Sequence, residues 1–291
     1  MLSKLEKHNY SIQNIYMKTI FYWLIAVVIT FSAMAYQRTT GPTKEKRVSI
    51  TIDNTEYNFK LFRSHSGESD CPITLEVPDE NISGVLYYKL YPTKNPWTEK
   101  AFKRVGDNLV AKLPNLQPAG KYEYKVELQK NNQAYQLNNG EPVVIRFKGY
   151  VPEAILIPHV FFMFFAMFLG NLAGIMALFK YNQYKLFTTI TLIAIFIGGM
   201  ILGPLVQFHA FGESWAGVPF AWDLTDNKTL VAFLFWILAF AMNRNKKRPV
   251  YAIIAAIVML LIYSIPHSMY GSELDPKTGE IIQGWIQLYL F

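Results

Sequence analysis

The chain has 291 residues, of which 52% are hydrophobic, 15% aromatic and only 17% charged, with a formal net charge of +7 and one cysteine. That balance excludes an ordinary cytosolic enzyme, a disordered chain and a disulfide-rich secreted module. The average also conceals a division, because charges are frequent from Val48 to Lys148 whereas Ala154–Phe179 and Leu186–Gly212 contain no Asp, Glu, Lys or Arg.

Apolar runs of about 18 residues or more read as membrane spans, since a helix rising about 1.5 Å per residue needs roughly 20 residues to cross a hydrocarbon core. Five segments qualify: Lys18–Tyr36, Ala154–Phe179, Leu186–His209, Thr225–Met242 and Pro249–Met269. The fourth is the shortest in uncharged residues, because Asp226 and Lys228 stand in its first turn. Lys4, Lys7, Lys18, Lys180, Lys185, Arg244, Lys246, Lys247 and Arg248 fall on one side, and only Lys228 and Lys277 in the short segments of the other. The excess of basic residues marks the cytoplasmic side. The expected protein therefore lies in the cell's inner (plasma) membrane with its N-terminus inside. Residues 1–17 form a cytoplasmic N-terminus and 18–36 a first helix. Residues 37–152 make an extracytoplasmic domain, 153–270 a bundle of four helices, and 271–291 an extracytoplasmic C-terminal segment. Ala33-Met34-Ala35 resembles a signal-peptidase site, but the residues ahead of Met17 suit an uncleaved anchor better.

The charged domain shows a different periodicity. Alternating β-branched and aromatic runs recur at Val48–Ile52, Tyr57–Phe62, Ile73–Val77, Val85–Tyr91, Asn108–Leu113, Tyr122–Leu128 and Val143–Phe147. Asp53-Asn54, Pro78-Asp79, Gly106-Asp107 and Asn138-Asn139-Gly140 separate them as turns. Seven short strands at this spacing predict an antiparallel sandwich. The stretch Leu116-Gln117-Pro118-Ala119-Gly120-Lys121-Tyr122-Glu123-Tyr124-Lys125-Val126 resembles the turn and following strand of a fibronectin type III domain. The resemblance implies an immunoglobulin-like sandwich, with Tyr122 packed inward as a tyrosine corner whose hydroxyl bonds backbone near Leu116. It implies an adhesive or positioning module and names no chemistry. Cys71, alone in the chain, is expected as a buried strand-end thiol, and His65 as a loop histidine.

Three of the five histidines, His159, His209 and His267, fall in the helical portion, each near the outer end of its span. At 100° per residue Ala166, Gly170, Ala173 and Ala177 share the face of His159, while Phe161, Phe164, Phe165 and Phe168 lie opposite. Small residues are where membrane helices approach one another, so His159 is expected to face protein. Ionisable side chains within spans are rare and functional by default. A cluster of the three would suit haem b, copper or zinc, with Met163 as a soft neighbour. The same imidazoles also serve simply as amphipathic interface groups, and Met163 as a packing residue. The loop from His209 to Lys228 adds Glu213 as a supporting residue and Asp223, Asp226 and Lys228, expected to orient ligands or relay protons, with Thr225 or Asp226 capping the fourth helix.

There is no Cys-x-x-Cys-His, no phosphate-cradling glycine loop, no Gly-x-Ser-x-Gly and no His-Glu-x-x-His. No catalytic residue is assigned. The basic residues are accounted for by orientation and imply no nucleic acid. The expectation is a multi-pass membrane protein, a five-span α-helical bundle with an inserted all-β immunoglobulin- or fibronectin-like sandwich. Its leading function is a redox-associated subunit holding haem b or a transition metal through His159, His209 and His267. The alternative is a non-catalytic scaffold or assembly subunit whose sandwich recruits a membrane or extracytoplasmic protein partner.

Overall fold

A computed structural model describes residues 4–266, 272–275 and 278–282, with the side chains of those from Met17 to Ile281. The chain divides into two compact units. The helical unit holds the chain up to Thr40, residues 153–206 and the described residues 225–266. The β-rich unit holds residues 41–152, the 207–224 segment and the described part of the C-terminal stretch.

In the helical unit α1 is Lys4–Thr40, α2 Glu153–Leu178 and α3 Tyr184–Ile195. A π-helical turn over Phe196–Leu202 follows, then α4 Gly203–Phe211, which runs on into the second unit, and finally α5 Leu224–Arg244 and α6 Pro249–Ser264. Four helices are long and apolar enough to cross a membrane: Met17–Thr40, Glu153–Leu178, Tyr184–Phe211 and Leu224–Arg244. The expected fifth span is a shorter apolar helix of 16 residues. It stops because Pro266 forces the residue before it out of helical geometry, and Ile265 is indeed extended at φ −81°, ψ 119°. His267 and the rest of the expected span lie outside the described residues.

Small side chains recur through the interior of this unit, around a few large ones such as Trp236 and Tyr184. Ala166, Ala173, Ala177, Ala194, Ala232, Ala239 and Ala255 are buried, while Phe21, Phe31, Ile157, Phe161, Leu186, Leu234 and Leu261 are exposed. A Cβ on Gly174 would stand 2.5 Å from the Cβ of Ala256, and one on Gly170 2.8 Å from Met259 Sδ, so α6 packs on α2 only because both positions lack a side chain. The face predicted for His159 is the packed face. Buried polar groups are paired between helices. Asn171 Nδ2 donates to Thr30 Oγ1 at 3.0 Å, and Asn243 Oδ1 accepts from both Tyr184 Oη (2.6 Å) and Arg248 N (2.8 Å).

The β-rich unit contains β1 Lys46–Ile52, β2 Thr55–Leu61, β3 Ser64–Ser66, β4 Cys71–Glu76, β5 Ser83–Leu90, β6 Thr98–Ala101, β7 Lys103–Val105, β8 Asn108–Leu113, β9 Lys121–Lys130, β10 Gln133–Gln136 and β11 Val143–Lys148. Two short strands, β12 Glu273–Leu274 and β13 Ile281–Ile282, pair with each other. Strands β3-β11-β9-β5-β6 form one sheet, with β10 also on β9, while β1-β2 and β4-β8-β7 form two smaller ones. Several sheets enclose one core, an arrangement compatible with the expected sandwich. Cys71, Ile73 and Leu75 on β4, Leu109, Ala111 and Leu113 on β8, and Tyr122, Tyr124, Val126 and Leu128 on β9 all point into it. Asp53-Asn54 and Asn131-Asn132 turn their hairpins with positive φ at both residues, the left-handed geometry that tight hairpins need. Tyr122 packs its ring against Tyr88 and Phe147 as expected. The hydroxyl bond to backbone is made instead by Tyr124, whose Oη donates to Phe62 O at 2.9 Å.

Candidate functional site

The expected site residues fall in both units. In the helical unit His159 lies one residue past Pro158, inside α2. Its Nδ1 is 2.8 Å from the carbonyl oxygen of Gly198 in the π turn. A carbonyl only accepts, so Nδ1 carries the proton, and in the neutral ring Nε2 holds the lone pair. Gly198 makes this approach possible: a Cβ there would meet Phe162 Cβ at 2.8 Å. Met163 packs its sulfur beside Gly198 and Gly199, and its carbonyl accepts from Tyr263 Oη at 2.9 Å.

Lys228, 6% exposed, donates from Nζ to Ile265 O at 2.9 Å. Ile265 is the residue at which α6 ends, so the ammonium caps the carbonyl end of that helix, where a positive charge is favoured. Asp226 is buried in the first turn of α5. Met163, Lys228, Thr229 and Tyr263 line one small void with Gln37. Among the described residues no group of three or more His, Cys, Asp or Glu side chains is arranged to hold a metal ion.

In the β-rich unit the side chains that come together are mostly ones the sequence did not single out. Arg146 is the middle of β11 and alternation turns it away from the core, yet it is only 6% exposed. Its Nη2 donates to Ser272 O, and its guanidinium lies 4.5 Å from the centre of the Phe211 ring. Asp223 Oδ2 accepts from Ser272 N at 3.1 Å and Ser272 Oγ at 3.5 Å, and Gln207 Nε2 donates to the same hydroxyl at 3.4 Å. Lys121 pairs with Glu273 beside them. Burial works against the charges of Arg146 and Lys121, and Glu273 opposes that effect at both. The Nε of Arg146 has no hydrogen-bond partner among the described residues.

Among the described residues of the expected set, Asp223 alone enters this cluster. The backbone at His209 instead lies against Gly149: a Cβ on Gly149 would collide with His209 O, and Gly149 N donates to Ala210 O at 2.9 Å. The His209 ring lies edge-on to Phe208 at 5.7 Å. Glu213 is half-buried, which raises its carboxyl above the ordinary range. The most exposed large side chains of the loop are Phe220 (81%) and Trp222 (58%), with Tyr150 (66%) ending the strand region.

The chain thus combines an apolar helical unit with a β-rich unit assembled from three separate stretches. No protein-family model, no curated protein and no solved structure matches it.

Proposed function

We propose that the chain is a five-span membrane protein of the inner membrane type and a non-catalytic assembly subunit. Its fibronectin-like β-rich unit stands outside the cytoplasm and recruits a protein partner. The carrying observation is the Arg146 cluster. It joins β11 to the segment between α4 and α5 and to the segment after α6, stretches separated by apolar helices. If those three stretches share one side, α5 and α6 together cross an even number of times. Since α5 is long enough to cross, α6 crosses with it, its 16 residues giving about 24 Å of helix. The lipid-sized apolar side chains exposed on the helices support the same reading, as does the concentration of Lys and Arg beside the opposite helix ends.

The fibronectin likeness is supported by the switching of consecutive strands between sheets, β4 to β5 and β8 to β9. A buried polar cluster between segments gives fixed geometry to the surface above it, which is what a docking platform requires. Phe220, Trp222 and Tyr150 are exposed aromatic groups of the β-rich unit, suited to a partner or to the headgroup region.

The test is isolation of the full chain from its native membranes. A stoichiometric partner should be retained with His159→Ala, His209→Ala and His267→Ala, and lost when residues 45–148 are deleted. Retention of the same partner after deletion, or its loss with the histidine variants, would overturn the reading.

One observation favours the redox reading as a second. The bond from His159 Nδ1 to Gly198 O is the arrangement that orients a ligating imidazole and leaves Nε2 for haem b, copper or zinc. An absorption scan through the Soret and visible range, with metal analysis of the same sample, decides it. A stoichiometric cofactor lost in His159→Ala would establish it.

A further inference from the structure

The outward face of the large sheet carries a groove that neither reading uses. Strands β9, β5 and β6 lie side by side, and their register sets Lys125, Tyr87 and Glu99 in one row across them. Trp97 stands just ahead of β6, with the Lys125 ammonium 4.7 Å and the Lys89 ammonium 4.9 Å from its ring centre. Glu127 and Gln136, paired across β9 and β10, make the facing wall. Tyr87, Trp97, Glu99, Lys125, Glu127 and Gln136 line an open groove of about 250 Å³, just under the roughly 300–1,000 Å³ of clefts that take drug-sized ligands and room for one or two sugar rings.

The wall is organised before any ligand arrives. Glu127 accepts from Gln129 Nε2 at 3.0 Å and from Gln136 Nε2 at 3.5 Å. Gly140, at φ +77°, leaves room for the Gln136 amide, which a Cβ there would displace. Two carboxylates against one ammonium leave the lining nearly balanced, so an anion meets net negative charge and a cation meets the lysines that already hold Trp97. What fits is a neutral molecule with an apolar face for aromatic rings and a rim of hydroxyls for carboxylate, amide and ammonium.

We infer that this groove binds a neutral pyranose-containing glycan, with the C–H face of a sugar against Tyr87, beside the lysine-covered Trp97, and its hydroxyls bonded to Glu127, Gln136, Glu99 and Lys125. The inference goes beyond the assembly reading and does not depend on it, because the groove lies wholly within the β-rich unit.

The test uses the full chain in a non-glycosidic detergent, since glucoside or maltoside head groups would compete. Maltose, cellobiose, mannobiose and diacetylchitobiose are titrated by calorimetry, with sialyllactose and a chitosan disaccharide as charged counterparts and a basic peptide as the protein-like probe. At least one neutral saccharide should bind saturably. Tyr87→Ala and Glu127→Gln should each weaken it about tenfold or more, with Tyr87→Phe near the parent and Trp222→Ala unchanged. Hydrogen exchange in β5 and β9 checks that the variants remain folded, and Glu127→Gln carries the test alone if Tyr87→Ala does not fold. Absence of saturable binding by every neutral saccharide overturns the inference. So does binding only of a charged sugar or the peptide, or affinity that survives both Glu127→Gln and a folded Tyr87→Ala.

Discussion

Lys148 shows what tertiary cover does to a single residue. It ends β11 two positions after Arg146 on the same strand face, and burial, then the Arg146 charge, pull its ammonium down from 10.5 to about 8. Below pH 8 both folded and unfolded chains hold this proton, and the folded state bears the full penalty of a poorly solvated charge. Between pH 8 and 10.5 the unfolded chain binds more protons, so this residue's contribution makes stability rise with pH. Cys71 works in the opposite direction, because its thiol is pushed from 9.0 to about 11 by burial and its contribution falls as pH passes 9. The difference between Lys148→Met and the parent removes the cysteine from the comparison. The variant should be more stable by about 1–2 kcal/mol below pH 8, with the advantage gone by pH 10.5. Protection factors of β9 and β11 amides measured across that range in the full chain check it, and equal protection at pH 7 would rule the account out.

At the scale of elements, the polar cluster is the joint between β11, the end of α4 and the strand at Glu273–Leu274. Asp223→Ala removes the acceptor of Ser272 N and one of the two negative charges that oppose burial of Arg146. It should weaken the joint by about 1–3 kcal/mol, seen as faster hydrogen exchange at Ser272 and Leu274 with β4 and β8 unchanged. Adding Arg146→Met removes the stranded charge as well, so the double variant should recover part of that loss; simple additivity would mean the two are uncoupled. This joint is also what the sequence could not disclose. All seven expected strands form, because alternation records which side faces a core. Six strands went unread: Ser64–Ser66, Thr98–Ala101, Lys103–Val105 and Gln133–Gln136 are short and mostly polar, Glu273–Leu274 and Ile281–Ile282 are two residues each, and only their neighbours make them strands. Arg146 reads as a solvated outward residue in Val-Val-Ile-Arg-Phe, since the segment that buries it comes some 60 positions later. The packed face of α2 was legible because small residues recur there at helical spacing. The end of α6 was misread, since the apolar run was taken on to Met269 and the helix stops ahead of Pro266.

For the whole molecule, the proposed topology turns on α6, because the other candidate helices are each long enough to cross without help. The proposed direction rests on charge: the α2–α3 and α5–α6 connections carry Lys180, Lys185, Arg244, Lys246, Lys247 and Arg248, and the stretches gathered in the β-rich unit lie at the other ends. The native thiol leaves a quiet background for cysteine labelling, since Cys71 is 2% exposed and its thiolate is disfavoured at neutral pH. In intact cells a membrane-impermeant maleimide should therefore label Glu99→Cys and Ser214→Cys, and should reach Asn182→Cys and Lys247→Cys only after permeabilisation. Thr278→Cys discriminates between five crossings and four. Joined to the β-rich unit by the Ser272 contacts, it should label from outside with Glu99→Cys and Ser214→Cys. Labelling of Thr278→Cys only after permeabilisation would leave α6 on the cytoplasmic side and separate the C-terminal stretch from the unit that the Arg146 cluster builds.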